Sequence, residues 1–166
     1  MTDREMEDAQ HEHDVRFHDL RVRPALPTDR DFLFETRRAT LRAYVEQTSP
    51  WDDAEQRATA DREFADLPFA VVEASGRPVG YVCVVHEGEC DFVDEIALLP
   101  EVQGRGMGTQ LLRGILRAAR RRGVPVRLNV FVDNPARALY ARLGFEVERI
   151  AGPRVSMRWT PDSARP

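Results

Sequence analysis

The chain has 166 residues, 42% apolar and 31% charged, with a net charge of −4, a balance that fits one soluble domain with its own core. All 24 of its basic residues are arginine, and the lack of lysine excludes a Walker phosphate loop, Schiff-base and pyridoxal chemistry, and a Ser–Lys nucleophile pair. Short apolar runs and an acidic start point to a cytoplasmic protein with no membrane partner, and two cysteines, Cys83 and Cys90, suit a reducing compartment.

Residues 1–19 carry seven acids against two arginines, a net of −5 that leaves the remainder at +1. They read as a disordered acidic tail. His11, His13 and His18 lie in it beside loose carboxylates that fix no ligand geometry, so no metal is expected. The near-neutral body gives no reason to expect a nucleic-acid partner. A single domain is expected over 20–160, with a second short tail over 161–166.

Leu20–Arg23 reads as a short strand ended by Pro24. Thr28 with Asp31 resembles a capping box, and a helix follows to Gln47. The loop Thr48–Asp53 leads into a second helix over Asp53–Asp66, capped by Asp52 or Asp53. The apolar period then changes from 3.6 to 2. Phe69–Glu73, Val79–His86 and Asp91–Leu99 read as three antiparallel strands with short links. A glycine-rich turn, Gln103–Gly108, opens a strongly periodic helix that Gly123 ends. Val126–Val132 is a strand, Asn134 caps a short helix with Pro135 in its first turn, and Phe145–Ile150 with Val155–Trp159 closes the chain as a strand pair. The order predicts a mixed α/β fold: a mainly antiparallel sheet with one β-α-β unit at its centre.

The glycine turn is the most informative stretch. Gly104, Gly106 and Gly108 let the backbone approach a ligand, and successive N–H groups beside a helix N-terminus make a phosphate nest that needs no lysine. A packing turn is the plain alternative. A dinucleotide site is disfavoured, because the spacing is G-x-G-x-G and the turn follows four strands rather than one.

Gln103-x-x-Gly106-x-Gly108 resembles the Q/R-x-x-G-x-G/A signature of the GNAT N-acetyltransferases. Val22–Asp29 resembles the usual start of that family, and Asn134–Phe145 (NPARALYARLGF) resembles its C-terminal helix segment. The resemblance implies a GNAT-like sheet with helices on both faces and acetyl-CoA as acetyl-donor cosubstrate, with no metal. It implies a primary amine on a small molecule or peptide as acceptor, attacking the thioester directly, in a monomer or homodimer.

The resemblance places the CoA arm along Ile96, Ala97 and Leu98, and the pyrophosphate on Gln103, Gly104, Arg105, Gly106, Met107, Gly108 and Thr109. Asn134 matches a residue that contacts the arm. Tyr140 matches the general acid that protonates the departing thiolate, a task within reach of a phenol. Asp94 and Glu95 resemble an acidic pair that relays the amine proton. Adjacent strand residues face opposite sides, so only one should face the acceptor unless a bulge intervenes. Asp94 would then share its face with Phe92 and Ile96, and Glu95 with Val93 and Ala97. Trp51 and Asp52, in the loop between the first two helices, either hold a cationic amine or pack and cap. The competing class is a non-catalytic acyl-CoA-binding regulatory module.

Overall fold

A computed structural model describes residues 20–161; the two tails expected over 1–19 and beyond Pro161 fall outside that range or at its margin. Seven strands form one sheet in the order β1-β2-β3-β4-β5-β7-β6. They are β1 (Leu20–Pro24), β2 (Phe69–Ala74), β3 (Arg77–Glu87), β4 (Cys90–Leu98), β5 (Val126–Phe131), β6 (Glu146–Ala151) and β7 (Arg154–Trp159). Only β4 and β5 pair in parallel; every other neighbour is antiparallel. The helices are α1 (Arg30–Val45), α2 (Asp53–Asp66), α3 (Met107–Arg122) and α4 (Ala136–Arg142).

The two faces of the sheet carry different helices. Leu33 of α1 and Phe64 of α2 pack with Phe69, Val71, Tyr81, Cys83 and Ala97. Phe64 meets the Phe69 ring edge-on at 4.6 Å. On the other face, Leu112, Leu116 and Ala119 of α3 and Tyr140 of α4 pack with Val93, Val126, Leu128, Val155, Met157 and Trp159. The apolar stripe on α3 explains this: Leu111, Leu112, Leu116 and Ala119 recur at helical spacing and are buried. Two left-handed glycines bound α3, Gly106 (φ 82°) before it and Gly123 (φ 70°) after it. Asp91, 2% exposed, holds the far end of this helix to the start of β4 through Arg122, and it also accepts from or pairs with His86 Nδ1 at 2.7 Å.

Near the N-terminus the sequence expectation needs correction. Thr28 and Asp31 form no capping box. Instead Asp29 accepts the Leu26 N–H (2.7 Å), caps a 3-10 turn over Pro27–Asp29, and receives both terminal nitrogens of Arg23 (2.8 and 3.0 Å). A bidentate guanidinium is the stronger partner, and it fixes Asp29 rather than its neighbours. Asp52 does cap α2, accepting the Glu55 N–H at 2.8 Å. Cys83 is a buried small hydrophobe whose thiol burial pushes up to about 12, and no helix among the described residues is long and apolar enough to cross a membrane.

Gly80 stands against the β4 backbone with no room for a side chain. A Cβ there would lie 2.2 Å from the Ala97 carbonyl oxygen and 3.0 Å from the Leu98 Cα. No side-chain rotation relieves a clash with backbone. Gly80→Ala is therefore expected to lower stability by about 3 kcal/mol in a urea titration, and a change under about 1 kcal/mol would show that the two strands adjust freely.

Candidate active site

One residue too many in β4 shapes the site. The β3–β4 register runs Cys83 to Glu95 and then Val84 to Val93, so Asp94 has no partner and forms a bulge. A bulge bends its strand and adds twist. The parallel pairing with β5 covers Asp91–Val93 against Val126–Leu128 and stops there. Beyond it, β4 continues to Leu98 against β3 alone, and β5 continues to Phe131 against β7 alone. A gap opens between their C-terminal halves.

Backbone groups line the gap from β4. The Leu99 N–H donates to Val79 O (2.8 Å), so 99/79 and 97/81 are the hydrogen-bonded pairs of the β3–β4 ladder. Main-chain groups of Ile96 and Leu98 then point away from β3, into the gap, whereas those of Ala97 belong to the ladder. The Leu98 carbonyl is already held by Gln103 Nε2 (2.8 Å), which ties the glycine turn to the end of β4.

The turn itself follows a 3-10 segment over Pro100–Val102. Gly104 (φ 73°) and Gly106 (φ 82°) are left-handed, with open space where a Cβ would stand. Main-chain bonding resumes at Gln110, whose N–H reaches Gly106 O (3.0 Å). Among the described residues, each N–H from Gly104 to Thr109 donates to no protein acceptor. Such a row at a helix start fits an anionic group of phosphate type.

The bulge also changes which way the acids face. Val93 packs in the α3 cluster, while Ala97 packs with α1 and α2. Glu95 therefore shares a face with Ala97 but not with Val93, contrary to strict alternation. Its carboxylate accepts from Arg37 Nε (3.2 Å) and Nη2 and from the Tyr81 hydroxyl (2.6 Å). Arg37 also reaches Glu63 of α2 (2.6 Å). Burial lifts the Glu95 carboxyl above its usual range, opposed by Arg37 and the Tyr81 hydroxyl. Asp94 is half-buried and, among the described residues, accepts no hydrogen bond. Burial and the Glu63 carboxylate raise it, opposed by Arg37 and by Arg154. Glu63 and Arg37 act on both acids, so Asp94 and Glu95 sit in the field of the same two charges.

Tyr140 belongs to the core cluster on the α3 face of the sheet, 6% exposed and edge-on to Phe145 at 5.8 Å. Burial alone pushes its hydroxyl up to about 12, and no described residue bonds it. Asn134 Oδ1 accepts the Ala136 N–H (2.9 Å), which leaves its amide nitrogen for other partners. Trp51 and Asp52 have local partners among the described residues. The Trp51 indole N–H donates to Asp53 (2.7 Å), and Asp52 is the helix cap. Arg105 makes no ion pair among the described residues. Sequence reasoning missed Arg37, Tyr81 and Glu63. Arg37 had a readable signal, since it lies four residues after Leu33 on the buried stripe of α1. Among the described residues no group of His, Cys, Asp and Glu suits a metal.

The acetyltransferase (GNAT) family model matches residues 31–145. An uncharacterized N-acetyltransferase of Methanocaldococcus jannaschii is 36% identical over 91 residues, covering 49% of this chain; the chain spans only 40% of that relative. Among solved structures, the PaiA N-acetyltransferase of Thermoplasma acidophilum in complex with coenzyme A aligns with a TM-score of 0.69 and 17% identity, covering 86% of this chain and 99% of that one. An acetyltransferase of Thermus thermophilus aligns with a TM-score of 0.69 and 21% identity, covering 87% and 98%. At these identities the structures show a shared fold.

The two acids should respond differently to neutralisation. Glu95→Gln breaks a buried ion pair and is expected to cost about 3 kcal/mol in chemical denaturation at pH 7. Asp94→Asn removes an unpaired carboxylate whose raised pKa opposes folding above the ordinary carboxylate range. It should leave stability unchanged or slightly higher at pH 7, with the wild type regaining any difference as pH falls through the raised folded pKa to the ordinary carboxylate value of 3.8. Equal losses for both variants would contradict this division.

Proposed function

The chain belongs to the acetyltransferase (GNAT) family, and on that premise we propose that it transfers an acetyl group from acetyl-CoA to a primary amine. The observation that carries this reading is the gap left where β4 parts from β5, flanked by the unused N–H groups of residues 104–109. The fit to the donor rests on those N–H groups and on the open space at Gly104 and Gly106. The N–H groups of Gly104 to Thr109 would hold the pyrophosphate, and the main chain of Ile96 and Leu98 would pair with the arm. Met107 contributes only its N–H, since its side chain is buried. Ala97, committed to β3, contributes packing. When bound, the donor supplies an acetyl thioester.

The chain's own groups then have distinct tasks. The Leu98 N–H is the donor nearest the end of the gap, in place to polarise a carbonyl. Asp94 takes the proton of the acceptor ammonium; it is unpaired, raised and half-buried, all of which suit a base. Glu95 is a positioning residue, held by Arg37 and Tyr81 and supporting the wall of the acceptor side. Tyr140 carries its proton at neutral pH as a phenol does, burial raising it further, and its hydroxyl has no competing partner among the described residues. The ammonium loses two protons in becoming the amide: one passes through Asp94 to solvent, and the other balances the proton that Tyr140 gives the sulfur, while the N–C bond forms and the C–S bond breaks. The free amide nitrogen of Asn134 is proposed to contact the arm.

A thiol-release assay with acetyl-CoA across a panel of primary amines tests this. Tyr140→Phe is expected to lower kcat about 100-fold with the KM for acetyl-CoA little changed, because no bond that holds the fold is removed. Asp94→Asn should lower kcat/KM to a similar degree. Unchanged turnover in Tyr140→Phe would refute the acid role, and binding of acetyl-CoA without turnover of any amine would favour a non-catalytic module.

A further inference from the structure

The outer face of α3 carries a charge pattern that the rest of the fold leaves unbalanced. The helix holds five arginines and no acid. Arg113, Arg117 and Arg121 follow one another at four-residue spacing, all exposed, and none has an ion pair among the described residues. Like charges at that spacing oppose helix formation. The helix dipole accounts for basic residues in the last turn, but not for Arg113 and Arg117 in the middle. Arg122 is already paired with Asp91.

The missing acid is in the same chain. Residues 1–19 carry a net −5, against +1 for all the rest. They enter the described fold at Leu20, and Leu20 packs against the cluster that contains Met107 and Leu111 of α3, on the α3 face of the sheet. Nineteen residues reach up to about 60 Å when extended, and a helix of 16 residues is about 24 Å long. Reach, point of entry and charge all suit the same surface. We infer that the acidic N-terminal segment, between Asp3 and Asp19, docks in cis along the Arg113–Arg117–Arg121 stripe of α3. This inference does not depend on the proposed activity.

Amide NMR of the full ¹⁵N-labelled chain tests it. The triple variant Arg113→Gln, Arg117→Gln, Arg121→Gln should shift amides of the acidic segment at about 20 mM salt, and the shift should vanish at about 1 M, where screening shortens the Debye length to ~3 Å. Arg62→Gln on α2, an exposed arginine on the other helix layer, should leave those amides in place. Neutralising Glu5, Glu7, Asp8, Glu12 and Asp14 together should in turn shift α3 amides around Arg117. Identical amide positions in wild type and triple variant at low salt would overturn the inference. So would an equal response to Arg62→Gln, which marks a general charge effect. A shift that grows with protein concentration would place the segment on a second copy and would overturn docking in cis.

Discussion

Asp94 is one residue more than the β3–β4 ladder can pair, and the site rests on that surplus. A central strand ordinarily pairs on both sides. With the extra residue, the strand bends where its parallel partner ends at Val93–Leu128, and on one side the backbone of Ile96 and the Leu98 N–H are left without a strand partner, the Leu98 carbonyl being held by Gln103. Unpaired main-chain groups inside a sheet carry a cost unless something bonds them. The fold therefore holds a row of unsatisfied groups beside a second row, the N–H groups of the glycine turn, and a ligand with both amide and phosphate groups would satisfy the two together.

The same bulge sets two carboxylates within the field of Glu63. Two acids and Glu63 in a half-buried wall would repel one another, and Arg37 is the counterweight. It is 3% exposed, bonded to Glu95 and Glu63, and stacked 5.0 Å over the Phe64 ring. This division leaves Glu95 structural and Asp94 unengaged. Across the sheet, Tyr140 is unengaged for a different reason: its ring is core, and only its hydroxyl lacks a partner. A base and an acid are thus proposed, each raised by burial, and each left without a protein bond that a reaction would have to break.

Much of this was legible from residue order. The period change from 3.6 to 2 located the helices and strands, and the glycines located the turn that opens α3. The bulge was not legible, because Phe92 to Ile96 alternates no differently with it or without it; only the pairing partner reveals the extra residue. The face of each acid was unreadable for the same reason. Arg37 was hidden by its class, since arginine on a helix is usually solvated, although its place on the Leu33 stripe demanded a partner. Thr28 and Asp31 matched a capping pattern, but Arg23, six residues before Asp29 and on another element, decided which acid was fixed. Long-range partners outweigh local patterns in each case.

The central claim is that the parted strands and the glycine turn form one binding surface for acetyl-CoA. Amide shift mapping during an acetyl-CoA titration addresses it most directly. The account predicts that the backbone amides of Ile96, Leu98 and residues 104–109 move together with one saturation curve, while Ala97, whose N–H stays in the β3 ladder, moves least among the β4 residues. Saturating shifts confined to another surface, or none at all, would contradict it.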